Sequence, residues 1–281
     1  MKLTDLKELK MLLERHGYQP KKMFGQHFLC SEKVVSEICN EAINAKGILE
    51  VGPGPGVLTQ TLLKTCEKLT AVEIDRNAVQ ALKESAPTAL VIEGDVLETD
   101  LKSLIQKLPE PRMIVSNMPY QITAPLLAAF AELKEYYIAS VLMMQKEVGD
   151  KILAQPGDSK FGSISIFLQS QFTIKKVIDA KKGAFFPPPK VESIVLKFIP
   201  KETGLKPESE QFFFQLIRLA FKQPRQTLVN NISKGLTISK EATLEALQSL
   251  DINKHTRPHQ IDIETWKKIS EKFYVDSKPN H

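Results

Sequence analysis

Apolar and polar positions alternate along this chain in two regimes. Between residues 47 and 200, short apolar runs return at intervals long enough for one strand and one helix: Ile48 to Val51, Leu69 to Ile74, Ala89 to Ile92 and Arg112 to Val115, then Tyr137 to Met144, Phe172 to Ile178 and Glu192 to Ile199. The first four lead into polar or acidic residues and have helical patterns between them, as expected of βα units on a parallel sheet. A proline-rich connection joins the last two runs and predicts an antiparallel pair at the sheet's far edge. Thr123 as a cap, with Pro125 in the first turn, predicts a helix to Leu133, and further helices are expected over Gln145 to Ala154 and Ser163 to Gln171. Pro200 to Pro207 is a polar linker; beyond it only helical periodicity remains, over Glu208 to Phe221, Gln226 to Gly235, Lys240 to Leu250 and Asp262 to Phe273. Ahead of the sheet, Leu6, Leu9, Leu12 and Leu13 mark an amphipathic helix closed near His16-Gly17 and a turn at Pro20. The pattern therefore predicts three parts: an amino-terminal helical arm over 1–20, an α/β domain over 21–200 built on a mostly parallel seven-stranded sheet, and a small all-α domain over 201–281.

The strand ends carry the candidate chemistry. The first run passes into Gly52-Pro53-Gly54-Pro55-Gly56, where glycines let the backbone turn tightly and let a ligand approach where a Cβ would collide. Alone, such a loop is equally a tight strand-to-helix turn. Gly52, Glu73, Asp95 and Asn117 stand about one βα unit apart, which predicts all four along the carboxyl edge of one sheet, where doubly wound folds bind ligands. A nicotinamide cofactor would call for glycines spaced two and then three; these are spaced two and two, and no hydride-handling residue follows. Asn117-Met118-Pro119-Tyr120 ends the fourth strand. An adenine amine is a poor nucleophile because its lone pair is delocalised, so a catalyst must orient it with acceptors, and an asparagine oxygen with a backbone carbonyl beside a proline supplies them. Tyr120 adds a flat face for a base. The competing reading of an isolated Asn-x-Pro-Tyr is a strand-ending turn with the tyrosine in the core.

Composition narrows the partners. With 281 residues, 42% hydrophobic and 25% charged, the chain suits one large and one small globular domain. No apolar run reaches the ~18 residues a membrane span needs, and Met1 to Lys7 lacks the apolar centre of a signal peptide, so a cytoplasmic protein without membrane attachment is expected. Cys30, Cys39 and Cys66 have no paired metal spacing and predict small buried side chains rather than a metal site or disulfides. The net charge of +5 is uneven: Lys175, Lys176, Lys181, Lys182 and Lys190 cluster against Asp179 alone, which suits a polyanion such as RNA or is simply a solvated lysine face.

Asn117-Met118-Pro119-Tyr120 resembles the Asn/Asp/Ser-x-Pro-aromatic motif of amino-group methyltransferases that use S-adenosylmethionine. Together with Gly25-Gln26-His27-Phe28-Leu29, Glu50-Val51-Gly52-Pro53-Gly54, Glu73-Ile74-Asp75, Gly94-Asp95 and Phe185 to Ser193, it resembles the ribosomal RNA adenine dimethyltransferase family, nearest to its bacterial small-subunit branch, over nearly the whole chain. The resemblance implies a Rossmann-like methyltransferase domain followed by a helical domain that contacts rRNA. It also implies S-adenosylmethionine-dependent dimethylation of the N6 amines of two adjacent adenosines in the 3′-terminal hairpin loop of 16S rRNA, by a monomer acting within the immature small ribosomal subunit and coupled to its biogenesis.

Carried over by position, Gly52 and Gly54 pass beneath the methionine part of the cofactor, Glu73 with Ile74 takes its ribose, and Asp95 takes its adenine amine with Val96 on the ring. His27 and Leu29 close the pocket. Asn117 and Pro119 hold the target amine, Asn117 also contacting the cofactor, with Tyr120 on one face of the base and Phe185, or else Phe186, on the other. Lys181, Lys182, Lys190, Lys222 and Arg225 are the RNA-binding candidates. The chain departs from the family pattern at His27, where Asn is commoner, at Met118 for Leu or Ile, at Pro224 and Gln226, where basic residues are frequent, and at His259 for Glu. Two other readings stand beside this one. One is a large-subunit adenine methyltransferase of the macrolide-resistance type, against which Phe185 to Ser193 and the long helical domain argue. The other is a non-enzymatic assembly factor that gates small-subunit maturation.

Overall fold

The computed structural model describes residues 1–18 and 26–276. Lys21 to Gly25 of the basic-aromatic segment, the turn at Pro20 and the tail from 277 lie outside the described residues. Seven strands form one sheet: β1 (Gly47–Val51), β2 (Lys68–Glu73), β3 (Leu90–Glu93), β4 (Arg112–Asn117), β5 (Ala139–Gln145), β6 (Phe172–Ala180) and β7 (Ser193–Pro200), in the order β3-β2-β1-β4-β5-β7-β6. The first five pair in parallel. β1 is buried along its whole length, as are the inner residues of β4 and β5, which is why these strands read as continuous apolar runs rather than alternating ones. Strand order reverses between β1 and its two neighbours, β2 and β4, so a crevice opens at their carboxyl ends. The last strand is not at the edge: β7 runs antiparallel to β5 and lies inside β6, whose half-exposed residues form the border.

Local chemistry sets the helix starts. Asp75 Oδ1 accepts from Asn77 N at 3.0 Å and opens the helix Arg76–Ser85, and Ser31 opens Glu32–Glu41 in the same manner. Thr123 departs from expectation. Its helix (Thr123–Glu132) has no side-chain cap, because the Thr123 hydroxyl donates backward to the carbonyls of Pro119 and Tyr120, at 3.3 and 3.2 Å.

The expected amino-terminal arm is not separate. Leu9, Leu12 and Leu13 of the helix Leu6–Arg15 are buried with Leu3, Tyr18, Val34 and Ile38 in the core beside the sheet. Arg15 and His16 both reach Glu84, and Lys2 pairs with Glu32 at 2.9 Å.

The domain boundary also moves. Met1–Gly149 and Thr173–Pro200 form one compact unit, and Asp150–Phe172 joins Lys201–His281 in the other. The reason is apolar: Ala154, Phe161 and Ile166 are buried in one cluster with Phe213, Leu216, Trp266 and Ile269. The second unit holds the helices Ser163–Gln171, Pro207–Ala220, Leu228–Leu236, Lys240–Gln248 and Ile263–Asp276, close to the spans expected from periodicity.

Leu12 is 0% exposed. Leu12→Ala is expected to lower unfolding free energy by about 2.7–5 kcal/mol in urea titrations, the range for a poorly collapsing core site. A loss below about 1 kcal/mol would mean that the helix is a dispensable appendage.

Candidate active site

β1 ends in backbone that only glycine adopts readily: φ is +66° at Gly52, +57° at Gly54 and +97° at Gly56. The turn brings the loop against the fourth strand's motif. A Cβ on Gly52 would lie 3.7 Å from Pro119 Cδ and 3.8 Å from the Asn117 carbonyl oxygen. A Cβ on Gly54 would lie 3.3 Å from the Phe28 ring. Ser116 Oγ donates to the Val51 carbonyl at 2.8 Å and ties β4 to β1 just below.

Gly52, Glu73, Asp95 and Asn117 line one cavity of ≈ 270 Å³. The other candidates on the cofactor side, His27, Leu29, Gly54, Ile74 and Val96, line the same cavity, as do Pro119 and Tyr120. Glu73 is buried, yet both of its oxygens are held: Oε2 accepts from Gly54 N and Oε1 from Asp75 N, each at 2.9 Å. Burial pushes its pKa up, and these two N–H groups oppose the shift. Asp95 Oδ1 accepts from Leu97 N at 2.9 Å, a local turn that leaves its second oxygen for another donor. Ile74 lines the cavity and is 49% exposed.

On the other side, Asn117 Nδ2 donates to the His27 carbonyl at 3.3 Å. That bond uses the amide's donor and leaves Oδ1 as an acceptor. The Tyr120 hydroxyl shares a hydrogen bond of 2.8 Å with Ser193 Oγ, and its ring lies 6.1 Å from the His27 ring at 29°. His27 Nδ1 donates to the Pro187 carbonyl at 2.7 Å.

A family model described as ribosomal RNA adenine dimethylase matches residues 17–274. The chain belongs to the ribosomal RNA adenine dimethylase family. It is 34% identical over 273 residues to the ribosomal RNA small subunit methyltransferase A of Bacillus pumilus, covering 93% of this chain and 94% of that one. It is 36% identical over 265 residues to the protein of the same name from Geobacter metallireducens, covering 90% and 95%. Among solved structures it is similar to a dimethyladenosine transferase from Plasmodium falciparum, with a TM-score of 0.75, 26% identity and coverage of 89% and 98%. It also shares its fold with the 23S rRNA methyltransferase ErmE, at a TM-score of 0.67, 21% identity and coverage of 87% and 98%. The fold class and the enzyme class read from the sequence, an rRNA adenine dimethyltransferase on a Rossmann-like sheet, are those of this family.

One site candidate of this dimethylase stands elsewhere. Phe185 does not line the cavity; it is 4% exposed and buried in the core. The cause is a two-residue antiparallel ladder, Phe28–Leu29 against Phe185–Phe186, in which Leu29 faces Phe185 and Cys30 N donates to the Ala184 carbonyl at 2.7 Å. Phe186 points elsewhere as well, with Lys10 Nζ 4.8 Å from its ring centroid. Lys181, Lys182 and Lys190 are exposed in the sheet unit, and Lys222 and Arg225 in the helical unit. Asp179 is held by both Lys146 and Lys176, at 2.8 and 2.5 Å, and among the described residues Lys181, Lys182 and Lys190 form no ion pair.

Four contributors escape the sequence patterns. Phe28 walls the glycine loop, Tyr18 packs on Phe28 with centroids 5.3 Å apart and lines the cavity, Gln26 donates to Asp75 at 3.2 Å, and Ser193 orients Tyr120. Phe28, Gln26 and Ser193 sit inside the family-like motifs, so their signal is the company they keep; Tyr18 has none. Glu50 is a further surprise. It is 1% exposed, lines the cavity, and has no hydrogen bond completed to either carboxylate oxygen among the described residues. Burial pushes its pKa up to about 8; the Thr59 hydroxyl eases the shift and the Glu73 charge adds to it.

A carboxyl held above its ordinary value stabilises the fold fully at acid pH, and that contribution drains away as pH rises from about 4.5 through about 8. Glu50→Gln is therefore expected to raise Tm relative to wild type by a margin that grows between pH 5 and 8, reaching about 2–5 °C by calorimetry. A margin that does not change with pH would contradict the buried neutral carboxyl.

Proposed function

We propose that this chain transfers methyl groups from S-adenosylmethionine to the N6 amines of two adjacent adenosines in the 3′-terminal hairpin loop of 16S rRNA. It does so as a cytoplasmic monomer acting on the immature small subunit, coupled to that subunit's biogenesis. The observation that carries this reading is the meeting of Gly52, Glu73, Asp95 and Asn117 on one cavity, with the Asn117 oxygen left unspent beside the glycine loop. The small-subunit methyltransferase name shared by the relatives supports the choice of rRNA.

The cavity suits the cofactor. Gly52 and Gly54 leave room for it where side chains would be strained, and the lone pairs remaining on Glu73 match a ribose diol. The free Asp95 oxygen accepts from the adenine amine, with Val96, Ile74 and Leu29 as apolar walls. When bound, S-adenosylmethionine supplies an electrophilic methyl group on a sulfonium.

Everything else is orientation by the chain's own groups. Asn117 Oδ1 accepts from the target amine and turns its lone pair, with the carbonyl preceding Pro119 as second acceptor and Tyr120 as the flat support of the base. The second methylation presents an amine with one N–H fewer, so a single acceptor must suffice for that step. A base stacked in a duplex cannot reach such a pocket, which favours a loop adenosine that swings out. Lys181, Lys182 and Lys190, with Lys222 and Arg225, attract the phosphate backbone.

Mass analysis of 16S and 23S rRNA from an unmethylated strain, each incubated with protein and cofactor, tests the reading. Two dimethyladenosines in 16S and none in 23S are expected, and methylation of 23S alone would overturn it. Asn117→Ala and Tyr120→Ala are each expected to slow transfer by about 100-fold or more while cofactor Kd stays within about threefold; Glu73→Ala is expected to weaken cofactor binding chiefly. Equal losses of binding in all three would dissolve these roles. The pair Lys181→Glu and Lys182→Glu is expected to lower RNA affinity and flatten the plot of log K against log salt by about one unit for each phosphate no longer neutralised.

A further inference from the structure

We propose that Lys240, Lys254 and Asn230 form a pocket in the helical unit for a phosphate of the rRNA backbone, a contact additional to the basic residues named above; this rests on the function proposed above. The pocket lies wholly within the second compact unit. It is a cavity of ≈ 330 Å³, bounded by Thr227 and Asn230 at the start of the helix Leu228–Leu236, by Lys240 and Leu244 of the helix Lys240–Gln248, and by Lys254 and His255 of the turn beyond.

Its donors are unspent. Lys240, Lys254 and His255 are exposed, and among the described residues none of them forms an ion pair. The Asn230 backbone N–H is taken by Thr227 Oγ1 at 3.4 Å, whereas its side-chain amide has no partner among the described residues. Glu241 is the one carboxylate of the lining, and the two ammonium groups outnumber it. The backbone beneath is held in place. Leu228 N donates to the Thr256 carbonyl at 2.7 Å and His255 N to Asn253 Oδ1 at 2.9 Å, which fastens the turn carrying Lys254 to the helix carrying Asn230. Ser239 Oγ accepts from Ala242 N at 3.1 Å and fixes the helix start at Lys240. Donors already in position cost less ordering when an anion arrives.

The chemistry selects a phosphodiester. An ammonium is a compact point charge that takes a phosphate oxygen without a planar partner, and the asparagine amide adds a directed donor. Val229 and Leu244 give the pocket an apolar side, which suits the sugar that a phosphodiester carries and a free anion lacks. The site also continues a basic surface. Lys222 and Arg225 stand just before Thr227, and Asn231 Nδ2 donates to the Gln223 and Thr227 carbonyls at 3.0 and 3.2 Å, so the turn that carries them is tied to the same helix. Contacts of this class set affinity and its salt dependence without reading base sequence.

Binding of the full chain to 16S rRNA across a salt series tests the pocket. The double variant Lys240→Gln, Lys254→Gln is expected to bind about tenfold more weakly or worse at low salt, and to flatten the plot of log K against log salt by about 1.4–1.8 units. A control with the same change of charge at two other exposed lysines of this unit, Lys206→Gln with Lys272→Gln, is expected to keep the wild-type slope. Glu241→Gln, which removes the opposing carboxylate, is expected to tighten binding by about two- to threefold. In proton–nitrogen NMR the Asn230 side-chain amide is expected to shift with a short single-stranded RNA and to stay in place with inorganic phosphate at the same concentration. Wild-type affinity and slope in the Lys240, Lys254 variant, an equal loss in the control, weaker binding in Glu241→Gln, or an Asn230 shift with inorganic phosphate and none with RNA would each overturn the proposal. Failure of the wild-type protein to methylate 16S rRNA, with these binding results intact, would instead overturn the function above and leave the pocket standing.

Discussion

The active edge depends on backbone that turns left-handed directly after β1. For any residue with a Cβ that conformation costs about 1–2 kcal/mol, and three such positions follow one another at Gly52, Gly54 and Gly56, with φ of +66°, +57° and +97°. Their roles differ. The turn at Gly54 aims its N–H at Glu73, and the turn at Gly52 lets Pro119 approach to 3.7 Å of where a Cβ would be. At Gly56 a Cβ would lie 2.5 Å from Ser85 Oγ, the hydroxyl that holds the Pro55 carbonyl at 2.6 Å. One loop thus positions a carboxylate, packs against Pro119 and seats itself on the helix Arg76–Ser85 that follows β2.

Two glutamates on neighbouring strands show how backbone donors decide charge in this cavity. Glu50 and Glu73 are both buried, and burial raises the pKa of each. Glu73 receives one N–H on each oxygen, which compensates its charge, whereas Glu50 receives none. Held protonated by burial, Glu50 lines the cavity without adding an unpaired charge to it.

Much of this was legible from strand period alone. The spacing of Gly52, Glu73, Asp95 and Asn117 was enough to bring them together because parallel βα units return every strand to the same edge. Phe185 was misplaced because its orientation is set by a ladder with Phe28–Leu29 from more than 150 residues away, and no local pattern reveals a partner that remote. The helix with Leu9, Leu12 and Leu13 showed an apolar face without showing what covers it. Residues 150–172 look like one more αβ passage in sequence; only the burial of Phe161 and Ile166 with Trp266 assigns them to the helical unit.

The inserted position of β7 has a consequence for the site. Because β7 pairs antiparallel with β5, with Ser193 opposite Gln145, Ser193 reaches the Tyr120 hydroxyl from the sheet itself rather than from a loop. Thr123 ties the carbonyls of Pro119 and Tyr120 from below. The aromatic face is therefore fixed at both ends by regular structure. The Asn117 amide, in contrast, is oriented by the carbonyl of His27, a residue outside regular structure that is itself held by Pro187. On the function proposed above, the group that supports the base is thus held by regular structure, and the group that accepts from its amine is held through a loop residue, the contact that must serve an amine with one N–H fewer in the second transfer.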